Sequence, residues 1–205
     1  MTFISGFRRS IVAAGGVTLS VVLAACSGGA GDESPASGSQ STETSSSQTT
    51  PGVDIANPKD ATAVDVCSLL PEEAAQKLGV QAQGEKESNL TSSESSTEPC
   101  VWESEYGATS VSLAPLSNSS IKQYLDGSDS YSDFKELTIS GHPAVRANRN
   151  DPMTGGSCNI FLASKQGQVV QSYSRLNSED TGNVDPCVKA KRTLELSVSS
   201  WPVAK

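Results

Sequence analysis

The chain has 205 residues and a formal net charge of −8. An acidic chain lacks the basic surface that binds nucleic acid, and it lacks a basic patch for anionic lipid, so electrostatic binding to either partner is excluded. Once an N-terminal export segment is set aside, the remaining length suits one domain with a single core.

The first 25 residues have the features of a lipoprotein signal peptide. Arg8 and Arg9 supply a positive start, and the apolar stretch from Ile11 to Ala25 is shorter than the roughly 20 residues of a transmembrane helix. The arginine pair also loosely fits a twin-arginine export signal, although an ordinary secretory signal is favoured. Leu23-Ala24-Ala25-Cys26 fits a lipobox, in which a diacylglycerol is attached to the Cys26 thiol and the peptide is cut before it.

Residues 26–61 are rich in Ser, Gly and Thr and predict a disordered tether. The segment has too few apolar residues to offset its ordering entropy. Its Ser and Thr residues are also plausible sites of O-glycosylation. The sequence therefore predicts a cell-membrane protein, held by the lipid on Cys26 at the outer face of the cytoplasmic membrane.

Residues 62–205 predict a single α+β domain. Pro71 and Glu72 favour a helix start and Gly79 favours a helix end, which predicts a short helix between them. Residues 81–98 lack periodicity and predict an exposed loop. Six segments then predict an antiparallel sheet of about six strands: 100–103, 109–113, 134–139, 144–147, 158–163 and 169–173.

Two further helices are predicted on the C-terminal side of the first hairpin. One lies near residues 119–125. The other begins after Asp185-Pro186 and closes the domain, so that a helix lies near each end of it. Its apolar side is expected to contain Val188, Leu194, Val198 and Trp201. A loop is predicted over residues 148–156.

Five cysteines are present, and Cys26 is assigned to lipid. The other four are Cys67, Cys100, Cys158 and Cys187. An even number in an exported domain predicts two disulfides, whereas the spacing fits no zinc site. Three connectivities are possible, and we favour Cys67–Cys100 with Cys158–Cys187, which would tie the first helix to the first strand and the last helix to a central strand.

The segment from Cys67 to Ala75, followed by Leu78-Gly79, resembles the opening of the DUF3558 family. Cys100-Val101-Trp102, Gly141-His142-Pro143-Ala144 and Asp185-Pro186-Cys187 fit the same pattern. The resemblance spans most of residues 62–201. It implies a small actinobacterial envelope lipoprotein with the four-cysteine frame, and it implies no catalytic residues, because the family has no assigned function.

Candidate catalytic residues are few. His142 is the only histidine and could serve as a general base, but Gly141-His142-Pro143 between two strands more simply predicts a tight turn. Ser157, after two glycines, is the nearest candidate for a nucleophile, yet no G-x-S-x-G motif is present. Glu103 and Glu105 are predicted to share one face of a strand and could form a carboxylate pair, although such residues more often form the wet face of an antiparallel sheet.

The densest group of oxygen ligands is the segment from Asp126 to Asp133. Its spacing is not that of an EF-hand, so a solvated loop is favoured over a calcium site. No metal, cofactor or catalytic set is predicted. We therefore expect a non-enzymatic binding or accessory module whose partner is an envelope protein, a glycan or a small ligand. The alternatives are a carrier of an apolar small ligand and, third, a hydrolase using Ser157 or His142.

Overall fold

The computed structural model describes residues 53–87 and 98–205. The predicted signal peptide, Cys26 and most of the predicted tether lie outside these ranges. Within them the chain forms seven strands and four helices. The strands are β1 (Glu85–Lys86), β2 (Cys100–Glu103), β3 (Ser110–Ser117), β4 (Asp133–Ile139), β5 (His142–Asn148), β6 (Ser157–Lys165) and β7 (Gln168–Arg175). The helices are α1 (Glu72–Lys77), α2 (Ile121–Asp126), α3 (Pro152–Gly155) and α4 (Pro186–Ser197).

All seven strands join one antiparallel sheet in the order β1-β2-β3-β7-β6-β5-β4. The α+β prediction is confirmed, with one strand more than expected. The additional strand, β1, is two residues long and pairs with Cys100 and Val101 of β2. It falls in the segment predicted as a loop, because two residues are too short to carry an alternating pattern.

The turn predicted at Gly141-His142-Pro143 includes Gly141 correctly but is wrong for His142 and Pro143. The β4–β5 turn consists of Ser140 and Gly141, whose φ values of 51° and 84° are those of a tight hairpin turn with two left-handed residues. His142 and Pro143 belong to β5 instead. Pro143 is tolerated there because it lies beyond the part of β5 that pairs with β6, where its missing N–H removes no ladder bond to β6.

Two helical predictions also need correction. The loop predicted over residues 148–156 contains the short helix α3, which Asp151 caps by accepting a hydrogen bond from the Met153 N–H at 2.8 Å. In α4, Val188 is 65% exposed, so it does not belong to the apolar side. That side consists of Cys187, Ala190, Thr193, Leu194 and Ser197.

One face of the sheet carries the main core. Trp102, Leu113 and Ile160 from the strands pack with α1 and α4 and with the C-terminal Trp201, whose indole N–H donates to the Leu69 carbonyl at 3.0 Å. The opposite face carries a smaller cluster in which α2 packs on the strands through Ile121. Because side chains alternate along a strand, Val145 and Phe161 point to this second face, whereas Ala144 and Leu162 point to the first.

Both favoured disulfides are confirmed. Cys67 is bonded to Cys100 with a Cα–Cα distance of 5.1 Å, and Cys158 is bonded to Cys187 with a Cα–Cα distance of 5.0 Å. The first bridge fastens the segment before α1 to β2. The second fastens α4 to β6, inside the sheet.

Residues 58–61, which the sequence placed at the end of the tether, are bound to the domain. The Lys59 N–H donates to the Ser164 carbonyl at 2.7 Å, and the Asp60 N–H donates to the Pro202 carbonyl at 2.8 Å. Ala61 is fully buried. Residues 58–61 therefore belong to the domain and lie beside its C-terminal segment.

Candidate functional site

A cleft of about 520 Å³ opens on the second face of the sheet, where β5 and β6 stop pairing. We call it the amide cleft; its main side chains are those of Tyr131, Arg149, Ser157, Asn159, Phe161 and Gln171. The last paired residues of the two strands are Arg146 and Ile160. Beyond them the Asn148 side chain fills the gap by accepting a hydrogen bond from the Asn159 N–H at 2.7 Å.

A chain of polar side chains crosses four adjacent strands at this point. Asn148 of β5 donates through Nδ2 to Asp133 of β4 at 2.8 Å. Gln171 of β7 donates through Nε2 to Oδ1 of Asn159 on β6 at 2.7 Å. Between these two pairs, Oδ1 of Asn148 accepts hydrogen bonds from the backbone N–H and from Nδ2 of Asn159. Each amide side chain is therefore held by a hydrogen bond to a neighbour. Fixed amides of this kind present both donors and acceptors to a ligand in defined positions.

The Asp133 end of this chain is anchored to α4. Nε of Arg146 donates to Asp133 at 2.6 Å, and its Nη1 donates to Asp185 at 3.0 Å. Burial opposes the charge of Arg146, but the hydrogen bonds and charges of the two aspartates outweigh it and raise the pKa of the guanidinium. The ion pairs therefore persist at neutral pH and connect the cleft to the first face.

The wall of the cleft is the segment that contains α3. Gly156 ends this helix with a left-handed φ of 62°. A Cβ at this position would lie 2.4 Å from Oγ1 of Thr181. Backbone hydrogen bonds from Leu176 to Gly156 at 2.8 Å and from Gly182 to Met153 at 3.0 Å hold the wall against the following loop. These contacts fix the position of the wall relative to the sheet.

Aromatic rings complete the site. Phe161 lies on the floor and stacks on Tyr124 of α2 with a centroid distance of 4.1 Å, while Tyr131 stacks near Phe134 at 6.1 Å. Burial raises the pKa of the Tyr124 hydroxyl above its ordinary value, chiefly because the group is removed from water. The cleft therefore offers ring surface beside its amides.

The lining of the cleft has no net charge. Arg149 is offset by Asp151, and the other polar side chains are uncharged. Within the described ranges Arg149 forms no ion pair. The cleft is therefore neutral although the whole chain has a formal net charge of −8. Its chemistry suits hydrogen bonding and stacking, not the binding of a strongly charged group.

The structure does not bring His142 and Ser157 together. His142 is 2% exposed, and its Nδ1 lies 3.0 Å from the carbonyl oxygen of Ala163, to which it must donate because a carbonyl only accepts. Ser157 begins β6 and lies six residues before Ala163, which in a strand is a separation of about 20 Å. A Ser157–His142 pair is therefore excluded.

The other candidate groups are also dispersed. Glu103 is the last residue of β2, but Glu105 lies beyond the strand in the following turn, so the predicted shared strand face is wrong. Asp126 is paired with Lys122 on α2, and Asp133 is paired with Arg146 on the sheet. Over residues 53–87 and 98–205, no three metal-ligating side chains of His, Cys, Asp or Glu cluster closely enough to hold an ion.

A second concave surface is apolar. It is a groove of about 430 Å³ between α2 and the β4–β5 hairpin, and Val53, at the start of the described chain, lies at its edge. We call it the hairpin groove; its apolar lining includes Ile121, Leu125, Leu137, Pro143 and Val145. Glu136 and Thr138 of the edge strand β4 add polar groups to it.

Outside these concave surfaces, the exposed large apolar residues come from separate segments of the described chain: Val64, Tyr106, Val184, Val188 and Val203. In the ranges that the structure describes, no helix is both long enough and apolar enough to cross a bilayer.

Sequence reasoning missed the amide cleft. Asn159 and Gln171 lie at polar positions of predicted strands, Asn148 lies at the start of a predicted loop, and none of the three belongs to a motif. The signal that was present is the predicted loop at 148–156, since loops at strand ends are common binding positions. Ser157 does line the cleft, although it was singled out for a different role.

A family model described as "Protein of unknown function (DUF3558)" matches residues 21–200. No curated protein matches the chain. Among solved structures, the chain is similar to a GTP-binding regulator from Thermotoga maritima, with 11% identity and a TM-score of 0.34 over 64% of this chain and 90% of that protein.

Proposed function

Since the chain belongs to the DUF3558 family of proteins of unknown function, we propose that it is a non-enzymatic binding module, anchored by lipid to the outer face of the cytoplasmic membrane. The observation that carries the binding role is the amide cleft, a concave site of about 520 Å³. Its volume lies within the range of small-molecule sites, about 300–1,000 Å³.

The location is supported by two uses of cysteine. Cys26 stands at the end of a lipobox. The four remaining cysteines pair within the domain, and such bridges persist in compartments outside the reducing cytosol. A lipid on Cys26 together with a tether rich in Ser, Gly and Thr would keep the cleft within reach of the membrane surface.

The non-enzymatic role is supported by the positions of the two candidate catalytic residues. His142 is buried and is hydrogen-bonded to the Ala163 carbonyl near the C-terminal end of β6. Ser157 lies at the N-terminal end of the same strand. A general base must reach the proton it abstracts, and this histidine does not reach that serine.

The anchor is tested by replacing the lipidated residue. We expect Cys26→Ala to lose the lipid and to move the protein from the membrane fraction to the soluble fraction, or to leave the precursor uncut. The neighbouring Ser27→Ala change is the matched control and should leave retention unchanged. Membrane retention of the Cys26→Ala protein in a form equal to wild type would contradict the anchor.

The binding role of the cleft is tested by photo-crosslinking in intact cells. A diazirine amino acid at Arg149, which lies in the cleft wall, should yield an adduct. The same amino acid at Arg192, on the exposed side of α4, is the control and should not yield it. If neither position, or both positions equally, give adducts, the cleft does not bind a partner in the cell and the proposed binding role is wrong.

The hairpin groove favours a second candidate function, a carrier of an apolar small ligand. The groove lies between the sheet and α2 and is lined mainly by apolar side chains. A carrier should retain lipid through purification from membranes, and Leu125→Asp should abolish that retention. Native mass spectrometry checks this, with Leu196→Asp on α4 as the control; a protein that emerges free of lipid would reject the carrier.

A further inference from the structure

We propose that the amide cleft binds a neutral glycan, an assignment that rests on the proposed function and names its ligand class. The class is inferred from three independent properties of the site: the donors and acceptors of its floor, its aromatic rings and its charge.

The floor matches a ligand that is rich in hydroxyl groups. A hydroxyl both donates and accepts, and an amide side chain does the same through its two ends. Gln171 lines the cleft and donates one N–H to Asn159, and its carbonyl oxygen and its other N–H form no hydrogen bond with the described residues. Asn159 and Gln171 are half-buried, so these groups are in place before a ligand arrives.

The rings match the other surface of a sugar. A pyranose carries its hydroxyls around its edge and presents C–H groups on its faces, and these faces pack on aromatic side chains. Phe161 and Tyr131 both line the cleft, and each is supported by a second ring, Tyr124 and Phe134 respectively. Amides beside supported rings therefore suit an amphipathic ring ligand.

The charge of the lining favours a neutral sugar over a charged one. Arg149 is the only cationic side chain in the lining and Asp151 is the only anionic one. Proteins that recognise phosphorylated or acidic ligands generally do so with clusters of arginine, whereas this lining has one arginine and one aspartate. Both Arg149 and Asp151 can hydrogen-bond sugar hydroxyls without requiring a charged ligand.

The test uses the mature acylated chain in phosphatidylcholine nanodiscs, since a sugar-headed detergent would compete for the site. The chain is applied to an array of neutral and anionic glycans, with chitotetraose and mannotetraose among the neutral probes, and the affinity of each glycan that binds is measured by titration. We expect retention by neutral glycans. Retention by anionic glycans alone, or by no glycan, would overturn the assignment.

Matched variants locate the binding. Gln171→Leu and Tyr131→Leu should each weaken the affinity by about tenfold, the effect of losing one hydrogen bond or one ring contact. Gln76→Leu on α1 and Tyr106→Leu in the β2–β3 turn make the same changes elsewhere and should alter it less than about twofold. Thermal melts identify any variant that fails to fold. Equal effects in the two sets would place the glycan outside the cleft.

The glycan assignment and the proposed function fail in different ways. If Arg149 crosslinks to a partner in cells and no neutral glycan binds, the binding module stands and the glycan assignment is wrong. If the Arg149 position gives no adduct and neutral glycans still bind the nanodisc sample through Gln171, the glycan assignment stands. The proposed binding role in the cell is then wrong.

Discussion

Gly84 is in contact with the ring of a buried tryptophan. A Cβ at this position would lie 2.6 Å from Cε2 of Trp102 and 2.5 Å from Sγ of Cys100, closer than any carbon can approach without movement. Trp102 is fully buried, and its indole N–H has no hydrogen-bond partner within residues 53–87 and 98–205. Neither neighbour can easily give way, since one is a fused ring and the other is fixed by a disulfide.

We therefore expect Gly84→Ala to lower the free energy of unfolding by about 1–3 kcal/mol, the usual cost of overpacking. Urea denaturation monitored by tryptophan fluorescence measures it. Gly155→Ala is the control, because its Cβ would meet only Oγ of Ser157 at 3.8 Å. A similar stability for both variants would mean that β1 moves to relieve the contact.

Asp60 fastens the N-terminal segment to the sheet. Its carboxylate accepts from Lys165 at 2.7 Å and from the hydroxyl of Thr62 at 2.7 Å, and Gln168 adds a third side-chain donor. Lys165 makes the largest contribution, and together these groups hold the pKa of Asp60 well below its ordinary value of 3.8. The depressed pKa means that the folded state favours the charged carboxylate.

This gives a pH dependence of definite sign. The stabilisation by Asp60 is fully present above the unfolded pKa, near 3.8, and is lost as the pH falls towards the lower folded pKa. Asp60→Asn should therefore be less stable at pH 7 and lose less stability between about pH 4 and pH 2. Chemical denaturation across that range measures it, with Asp129→Asn on the surface as the control. The same pH slope in wild type and Asp60→Asn would contradict the assignment.

At the scale of the element, Asp185 both caps α4 and binds it to the sheet. One of its oxygens accepts from the Cys187 N–H at 2.8 Å and the other accepts from Arg146 at 3.0 Å. Asp151 provides a cap of the same kind for α3, and no ion pair involves it in the described part of the chain. A comparison of the two aspartates therefore separates the contribution of the cap to stability from the contribution of the ion pair.

Asp185→Ala should cost about 2–4 kcal/mol, the sum of a lost cap and a lost hydrogen bond to a charged group. Asp151→Ala should cost about 1 kcal/mol, for the cap alone. The free energy of unfolding of each variant, with Arg146→Met to close a double-mutant cycle, measures the difference. Equal losses would show that the contact between Arg146 and Asp185 contributes nothing beyond the cap.

At the scale of the whole molecule, two bridges close separate loops. Cys67–Cys100 spans 33 residues and Cys158–Cys187 spans 29, and the two loops do not overlap in sequence. In the chain-entropy model each bridge contributes about 3–4 kcal/mol, and separate loops contribute independently. Their sum, about 7 kcal/mol, is of the order of the stability of a whole domain.

Replacing the cysteines of either bridge by alanine should leave a folded domain with a lower melting temperature. Replacing all four should leave the domain largely unfolded at physiological temperature. Calorimetry and circular dichroism of the two single-bridge variants and the double variant measure this. A double variant that remains folded, with a loss far below the sum of the single losses, would show that the bridges do not act independently.

The outcome for each part of the fold follows from the range of the interactions that form it. The alternation in β2 and the start of α4 at Asp185-Pro186 depend on neighbours within a few residues, so these parts were predicted closely. Val188 has the helical spacing of a core residue, yet α4 packs through the side that carries Ala190 and Leu194. Only the orientation of α4 on the sheet decides between those sides.

The amide cleft illustrates the same limit. Its residues extend from Tyr131 to Gln171 and come from the strands β5, β6 and β7, the helix α3 and the segments that precede β4 and follow β5. None of them is distinguished by its sequence neighbours, because an asparagine in a strand has the same local pattern whether it faces bulk water or a cleft. What brings them together is the separation of β5 from β6 after Arg146.

Local features of the sequence were enough to predict lipid attachment at Cys26, pairing of the other four cysteines, most strands and the helices near the two ends. These depend on composition, spacing and local capping. Local features did not predict the strand order, the burial of His142 or the amide cleft, which are seen in the folded domain. Packing between segments that are distant in sequence fixes which strands pair, where they separate and which side chains then face one another.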